Sequence, residues 1–319
     1  MRIVFFGSSD FAVESLKKIL QSGHLVEAVV TSPDKQAGRG YKLKATPVKN
    51  FALEQALPLL QPNDLKDKGF INELNRILPD LQVVVAFRYL PKQVWQIPPL
   101  GTINLHASYL PDYRGAAPIN WVLINGEKFT GLTTFYINDK IDTGNIILRK
   151  RVPIFDQDTA GSLHDRLMIQ GADLLVETLK LIEQGKVKVL SQKDLETEFK
   201  TLHKAPKIFR DNSRIDWNKK ARDIYNFIRG LDPYPGAWTV LVDRATGQKK
   251  DNVKIFSATF EQAEHNYQTG EILTDYKEYL KVATPDGFVN IHQIQMPAKR
   301  KLSIKEFLPG FKYKKPFFE

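Results

Sequence analysis

The chain contains no cysteine in its 319 residues. Disulfide bonds, thiolate metal sites and cysteine nucleophiles are therefore all excluded. Its six histidines show none of the clustered spacings typical of metal ligands, so we expect no metal ion. Long apolar runs are also missing, because no stretch approaches the roughly eighteen residues that a membrane helix needs. A strand-like run, Ile3–Phe6, begins almost at the first residue and leaves no room for a signal peptide, so we expect a cytoplasmic protein with no membrane partner.

The chain also lacks the glycine fingerprint of dinucleotide-binding proteins. The segment Phe6–Phe11 follows the first strand and opens a helix, so its backbone amides could hold an anion. It contains a single glycine, Gly7, whereas the G-x-G-x-x-G spacing is what lets a backbone approach a pyrophosphate. Gly38-Arg39-Gly40 is neither that motif nor a P-loop. A nicotinamide oxidoreductase is therefore disfavoured, and a helix cap is the simpler interpretation of Asp10.

Hydrophobic residues make up 42% of the chain, which is enough for packed cores, and the length favours two domains. Strand-like and helical runs alternate through the first half, a βαβ pattern that predicts an α/β fold with a doubly wound, mostly parallel sheet. The predicted strands there are Ile3–Phe6, Leu25–Thr31, Val83–Ala86, Gly101–His106 and Thr133–Ile137, and the predicted helices include Phe11–Leu20, Ile71–Leu78 and Ala160–Gln184.

The pattern changes in the last third of the chain. After a helix near Ala221–Gly230, the short predicted strands are Trp238–Val242, Val253–Phe256, Tyr279–Ala283 and Phe288–Ile294. Short strands at such spacing predict a small β-barrel domain. We expect a catalytic domain at 1–185, a polar linker at 186–207 and the barrel domain at 208–319.

Positive charge is concentrated toward the end of the chain. The net charge is +10. Residues 201–319 hold 21 Lys and Arg against 14 Asp and Glu, a balance of +7, whereas residues 1–200 hold 25 against 22, a balance of +3. A basic domain beside a nearly neutral one favours a polyanionic partner such as a nucleic acid, although solvated surface lysines would give the same numbers.

A second cationic feature is the long loop after the second predicted strand, residues 32–49. Its five basic residues are Lys35, Arg39, Lys42, Lys44 and Lys49. The loop is too long for a plain connection between a strand and a helix, and loops with no structure of their own are usually functional or disordered. One aromatic residue among cations suits a nucleic-acid backbone better than a small ligand. The alternative is a mobile, solvated loop.

The candidate catalytic residues lie at the end of the fourth predicted strand. Because strand side chains alternate between faces, Asn104 and His106 point the same way, just before a loop. In open α/β sheets ligands bind beyond the carboxyl ends of the strands. An asparagine amide can stabilise an oxyanion, a histidine can shuttle a proton, and Asp142 in the turn Asp142-Thr143-Gly144 could orient that histidine. This set would suit acyl transfer, and the simpler alternatives are a structural histidine and a turn aspartate.

These residues resemble the folate-dependent formyltransferases, and the resemblance covers essentially the whole chain. It is carried by Asn104-x-His106 with Asp142, by Ser108-Tyr109-Leu110-Pro111 and by Arg114-Gly115-Ala116-Ala117-Pro118. Within that family, the chain most resembles the members that formylate a tRNA-bound amino acid. That closer likeness is carried by the loop Pro33–Gly40, the pair Asp216-Trp217 and the segment Asp232–Ala237.

The resemblance implies a Rossmann-like formyltransferase domain followed by an OB-like β-barrel domain. It implies transfer of a formyl group from 10-formyltetrahydrofolate to the α-amino group of methionine on initiator tRNA. We expect the protein to be a monomer. The implied catalytic residues are Asn104, His106 and Asp142. The implied folate-binding residues are Ser108, Tyr109, Leu110, Pro111, Phe87 and Leu90, and the implied tRNA-binding residues are Arg39, Lys42 and Lys44, with the basic barrel holding the tRNA body.

The sequence departs from the family pattern in two places. The usual Gly-Thr-Pro after the first strand is Gly7-Ser8-Ser9 here, which keeps the turn glycine and loses the rigid proline. The segment Ala86–Pro91 is one residue shorter than in many relatives and carries a cation, Arg88. At this second departure we expect the wall of the folate pocket to differ, and we expect neither change to disturb the chemistry.

Other functions with the same fold stay open. A formyltransferase acting on an amino-sugar nucleotide or a purine precursor would share the catalytic core, but the cationic loop and the basic barrel argue against both. A non-catalytic RNA-binding protein is disfavoured because Asn104, His106 and Asp142 are all present.

Overall fold

The computed structural model describes residues 1–37 and 42–319. Arg39, predicted to bind tRNA, lies outside the described residues. The chain divides into two compact units. The first comprises residues 1–115, 130–153 and 164–204, and the second comprises residues 116–129, 154–163 and 205–319. The domain limits 1–185, 186–207 and 208–319 stay a prediction.

The elements up to residue 205 are as follows. The strands are β1 (Arg2–Gly7), β2 (Leu25–Val30), β3 (Lys35–Ala37), β4 (Lys42–Lys44), β5 (Leu59–Leu60), β6 (Leu81–Val85), β7 (Thr102–His106), β8 (Arg114–Gly115), β9 (Phe129–Tyr136), β10 (Ile146–Pro153) and β11 (Lys204–Ala205). The α-helices are α1 (Asp10–Gln21), α2 (Pro47–Glu54), α3 (Lys68–Ile77), α4 (Lys92–Trp95), α5 (Pro118–Ile124), α6 (Ala160–Glu183) and α7 (Gln192–Leu195), and a 3₁₀ helix follows at Glu196–Glu198.

The first unit is built on a sheet of order β10-β9-β7-β6-β1-β2-β5. The pairs β2/β5, β1/β2, β1/β6 and β6/β7 are parallel, whereas β7 and β9 are antiparallel. The prediction of a mostly parallel sheet is confirmed. Strand β1 consists of five consecutive buried residues after Arg2, which is typical of a parallel strand covered on both faces. The carboxyl ends of β1, β6 and β7 meet at one edge of this sheet.

Close packing at this edge explains the turn glycine. A Cβ atom at Gly7, the last residue of β1, would lie 2.6 Å from the Cβ of Ala12 and 2.8 Å from the ring of Phe5. Only glycine therefore lets α1 start directly above the strand. Gly7 is the single glycine of the segment Phe6–Phe11 that follows the first strand.

The cationic loop contains structure that was not predicted from the sequence. Strands β3 and β4 pair as an antiparallel hairpin, with Lys35 opposite Lys44 and Ala37 opposite Lys42. The expectation of a loop without structure of its own is therefore wrong for the described residues on both sides of the gap at 38–41. Two strands of three residues are too short to show a period in the sequence.

The second unit contains β12 (Ala237–Asp243), β13 (Gln248–Gln262), β14 (Ile272–Thr274), β15 (Leu280–Thr284), β16 (Gly287–Gln295), β17 (Lys301–Ser303) and β18 (Pro316–Phe318), with helices α8 (Ala221–Leu231) and α9 (Ile304–Phe307) and 3₁₀ helices at Asp211–Ser213 and Leu308–Gly310. The sheet runs β14-β15-β16-β13-β12-β18, and β17 pairs with β16. A bridge between Glu271 and Phe317 and a bond from the Phe318 N–H to the Gly270 carbonyl (2.9 Å) nearly close it. The predicted barrel is confirmed, and its interior is filled by aliphatic and aromatic side chains.

Among the residues in the ranges 1–37 and 42–319, no helix is both long enough and apolar enough to cross a membrane.

Candidate active site

Strand β7 places Asn104 and His106 at the carboxyl edge of the first sheet. Asn104 lies between Val84 of β6 and Phe135 of β9, and His106 pairs with Thr133 of β9. His106 is buried, and Asn104 is half-buried. Within the described part of the chain, the Asn104 amide makes no hydrogen bond, so its donor is available to a ligand. Because Asn104 and His106 are two residues apart on β7, their side chains lie on the same face of the sheet, as predicted.

One ring nitrogen of His106 has a fixed partner. Nε2 lies 3.0 Å from the backbone carbonyl oxygen of Tyr113. A carbonyl oxygen can only accept a hydrogen bond, so Nε2 carries a hydrogen and donates it. The proton that the imidazole gains or loses is therefore carried by Nδ1.

Asp142 faces that second nitrogen. Its Oδ2 lies 3.9 Å from His106 Nδ1, and the two side chains are 12% and 9% exposed. The same oxygen accepts a hydrogen bond from the backbone N–H of Gly115 (3.0 Å). The structure thus brings together the three predicted catalytic residues, two from one strand and one from a turn 36 residues further along.

The turn that carries Asp142 is tightly constrained. Asp142 has a φ of +54°, a left-handed conformation that costs energy for most residues but is tolerated by Asp and Asn. Two residues later, a Cβ atom at Gly144 would collide with the carbonyl oxygen of Tyr136, so only glycine fits. The backbone of this turn therefore requires glycine at position 144 and accepts aspartate at position 142.

The loop after β7 is held by its own hydrogen bonds. The Ser108 hydroxyl donates to the carbonyl of Asp112 (2.7 Å). Thr133 of β9 binds the loop by donating to the Ser108 carbonyl (2.7 Å) and accepting from the Leu110 N–H (3.1 Å). Ser108 and Leu110 are fully buried, and Leu110 packs against Phe135 and Ile146. Ser108 and Leu110 therefore fix the shape of the loop.

Tyr109 is the half-exposed side chain between those two residues. The guanidinium groups of Arg149 and Arg151 lie 4.4 and 5.5 Å from the centre of its ring. Arg149 also forms a two-pronged ion pair with Glu198 (2.7 and 2.9 Å) and donates to the Leu110 carbonyl (3.3 Å). Strand β10, which supplies both arginines, was not among the predicted strands.

The loop after β6 holds the other two residues predicted to bind folate. Leu90 is buried in the apolar cluster behind the sheet. Phe87 is half-buried and contacts Phe6 edge to face, with ring centres 5.7 Å apart. Arg88 donates to the backbone carbonyls of Asn63 (2.9 Å) and Pro62, and its burial lowers the pKa of its guanidinium. The extra cation of this loop therefore stabilises the neighbouring chain segment.

The structure also shows a buried polar residue that sequence reasoning missed. Gln192 of α7 is 3% exposed. Its amide nitrogen donates to the carbonyls of Asp142 and Gly144 (both 2.9 Å), and its carbonyl oxygen accepts from Arg114 Nε (2.8 Å). In the sequence, Gln192 lies in a polar segment assigned to a linker, and no pattern distinguishes it from its neighbours.

The cationic hairpin is less completely described. Arg39 lies outside the described residues, and of Lys42 only the backbone, in β4, is described. Lys44 is exposed. Lys49 forms an ion pair with Asp34 (2.7 Å), whose carboxyl also accepts from Gln61 (3.1 Å). The hydrogen bond from Lys49 and, secondly, that from Gln61 lower the pKa of Asp34. One of the five cations of the loop is thus offset within the fold.

Comparisons with known proteins agree over both units. A model of the formyl transferase family matches residues 1–179, and a model of the formyl transferase C-terminal domain matches residues 207–312. A protein of Bacteroides thetaiotaomicron named methionyl-tRNA formyltransferase is 49% identical over 312 residues, which cover 98% of this chain and 96% of that protein. A protein of the same name from Flavobacterium johnsoniae is 46% identical over 313 residues, with 98% and 97% covered.

Solved structures show a similar fold at low identity. HypX from Aquifex aeolicus in complex with tetrahydrofolic acid is 20% identical with a TM-score of 0.63, and 97% of this chain matches 47% of HypX. The chain thus spans about half the length of HypX. WlaRD, a sugar 3N-formyl transferase, is 21% identical with a TM-score of 0.62 over 94% of this chain and 99% of its own. At these identities the likeness concerns the fold alone.

Proposed function

Because the chain belongs to the formyl transferase family, we propose that it transfers a formyl group from 10-formyltetrahydrofolate to the α-amino group of methionine carried on initiator tRNA. The observation that carries the proposal is the arrangement of Asn104, His106 and Asp142 at the carboxyl edge of the parallel sheet. The protein acts as a cytoplasmic monomer and needs no metal. The near full-length relatives that bear the name methionyl-tRNA formyltransferase support this choice of acceptor.

The reaction requires relief of two charges. The neutral amine of methionine attacks the formyl carbon, so that negative charge develops on the formyl oxygen and positive charge on the attacking nitrogen. The Asn104 amide, which makes no hydrogen bond within the described residues, donates to the developing oxyanion. The ammonium proton must then leave the nitrogen, and the bond from the formyl carbon to N10 of the folate breaks as N10 takes up a proton.

The tautomer of His106 assigns the proton transfer to one atom. Nε2–H is engaged with the Tyr113 carbonyl, so Nδ1 exchanges the proton. Asp142 lies 3.9 Å from that nitrogen and stabilises the imidazolium that forms when Nδ1 is protonated. His106 and Asp142 therefore act as one unit, with Asn104 stabilising charge beside them.

The proposed substrate contacts follow from exposure. Of the six residues predicted to bind folate, Phe87 and Tyr109 present half-exposed aromatic rings that can cover the ring system of the folate. Leu90, Ser108, Leu110 and Pro111 are buried and give the pocket its shape. Arg39, Lys42 and Lys44 are proposed to contact tRNA phosphates, with further contacts from the basic barrel.

The test is an acceptor comparison with 10-formyltetrahydrofolate as donor. The acceptors are initiator methionyl-tRNA, elongator methionyl-tRNA, free methionine and a nucleotide-linked amino sugar, and mass spectrometry detects the formylated product. We expect formylation of the initiator methionyl-tRNA alone. Formylation of the amino sugar in its place would move the protein to the sugar-modifying members of the family, and no formylation of any acceptor would refute the proposal.

A further inference from the structure

Gln192 connects the two chain segments on which the His106–Asp142 pair depends. Both hydrogens of its amide nitrogen are used, one by the carbonyl of Asp142 and one by that of Gly144, each at 2.9 Å. Its carbonyl oxygen accepts from Arg114 Nε at 2.8 Å. The side chain is 3% exposed, so water cannot replace these bonds if the amide is removed.

The two segments are those that set the distance between His106 and Asp142. Arg114 is followed by Gly115, whose N–H binds the Asp142 carboxylate at 3.0 Å, and preceded by Tyr113, whose carbonyl holds His106 Nε2 at 3.0 Å. On the other side, Gln192 binds the backbone of Asp142 itself. One amide is thus bonded to the turn that carries the carboxylate and to the strand that orients the imidazole.

The turn needs such support because its conformation is unfavourable. Asp142 has a φ of +54°, and residues held in sparsely populated conformations persist only when the surrounding structure determines them. The next bonds in the same cluster are weaker, because Arg114 Nη2 and Glu196 are 3.3 Å apart and Glu196 is partly exposed. Gln192 is the buried member of this group.

We propose that Gln192 is a positioning residue for formyl transfer, which holds Asp142 against His106 through the backbone of the Asp142–Gly144 turn. The inference rests on the proposed function, since the rate of formylation is its readout. It predicts that loss of the amide lowers kcat while substrate binding is retained, because Gln192 touches no proposed substrate contact.

Two variants remove the amide hydrogens in different ways. Gln192→Met removes all three hydrogen bonds at similar volume. Gln192→Glu keeps the bond with Arg114, loses both N–H donors and places a carboxylate against two carbonyls. We expect each variant to lower kcat about tenfold to a hundredfold, the range for misplacement of a catalytic group by about 1 Å. The KM values for folate and tRNA should stay within about twofold, as for an interaction made only in the transition state. Gln184→Met, at an exposed glutamine after α6, is the matched control and should behave as wild type.

A double-mutant cycle separates positioning from general stability. Asp142→Asn removes the carboxylate charge and tolerates the left-handed backbone. If Gln192 acts through Asp142, adding Gln192→Met to Asp142→Asn should lower kcat by no more than about twofold further. A full repeat of the tenfold or larger loss in that background would overturn the proposal, and so would wild-type kcat in both single variants. All assays are run below the onset of thermal unfolding. If Gln192→Met does not fold, Gln192→Glu takes its place in both the single and the double variant. A wild-type protein that formylates no acceptor would instead refute the proposed function.

Discussion

The two polar regions of the first unit are built in opposite ways. At the carboxyl edge of the sheet, His106 of β7 and Asp142 of the turn after β9 are buried and fixed: they are 9% and 12% exposed, and each has a hydrogen-bond partner from the backbone. In the β3–β4 hairpin the described side chains, Lys35, Leu43 and Lys44, are exposed, and even Leu43 is 71% exposed. Groups that react must be held in one geometry before the substrate arrives, whereas groups that attract a polyanion act over a distance and need exposure.

This comparison predicts the largest loss of turnover at the carboxyl edge of the sheet. Asn104→Ala removes the proposed oxyanion donor, and loss of one such donor typically lowers kcat about a hundredfold to a thousandfold. The side chain makes no hydrogen bond within the described residues, so the variant should fold normally. Steady-state formylation measures kcat, and circular dichroism checks the folding of the variant. A folded variant with wild-type kcat would refute the assignment of Asn104. His106→Ala should be at least as damaging.

The second prediction concerns the backbone of the same region. Gly144→Ala forces a Cβ atom against the Tyr136 carbonyl, and overpacking of this kind costs about 1–3 kcal/mol. The rate of formylation should fall together with the stability, because the shifted turn carries Asp142. Gly310→Ala in the second unit is the control, since a Cβ atom added there would have no neighbouring atom within 4 Å. Thermal unfolding of both variants measures the difference, and equal melting temperatures would contradict the constraint inferred for the turn.

The third prediction tests the exposed end. Replacing Arg39, Lys42 and Lys44 by glutamine should weaken tRNA binding and reduce the slope of log K against log salt by roughly 2 to 3, about one for each lost phosphate contact. Folate binding should not change. The charge-matched control replaces three exposed cations elsewhere, Lys66, Lys68 and Arg76. If both triple variants bind tRNA with the same slope, the effect belongs to net charge and the hairpin is a solvated surface feature.

The sequence predicts the buried region better than it predicts the strands around it. Asn104 and His106 could be placed on one face because strand alternation is a local rule. Strand β10 could not be predicted, because Arg149, Lys150 and Arg151 interrupt its apolar pattern, and an edge strand tolerates such charges. Charge also conceals the start of β13, which spans Gln248–Gln262 although only Val253–Phe256 was predicted, because Lys249, Lys250 and Asp251 are charged and exposed.

Roles set by tertiary contact are the least accessible to sequence reasoning. Gln192 is one polar residue among many in residues 186–207, and its burial depends on the carbonyls of a turn some fifty residues earlier. The tautomer of His106 likewise depends on the carbonyl of Tyr113, which no side-chain pattern encodes. Motif spacing can therefore name candidate reacting groups, whereas the groups that hold them in place are found only in the structure.

The smallest expected effect is at the base of the hairpin, where Asp34 pairs with Lys49 at 2.7 Å. Hydrogen bonds from Lys49 and Gln61 lower the pKa of Asp34 in the folded protein. A carboxyl group whose pKa is lower when folded stabilises the fold above its unfolded value, and this contribution is lost as the pH falls through the folded value. The melting temperature of Asp34→Asn should therefore lie slightly below that of wild type at neutral pH, and the difference should disappear in acid.

The control for that titration is Glu54→Gln, at an exposed carboxylate at the end of the neighbouring helix α2 for which no ion pair is found among the described residues. Its melting temperature should follow that of wild type across the whole pH range. A difference in melting temperature between Asp34→Asn and wild type that stays constant from neutral to acid pH would mean that the carboxylate charge does not stabilise the base of the hairpin. The hairpin would then depend on its backbone pairing alone, and the contrast with the fixed charges at the end of β7 would be greater still.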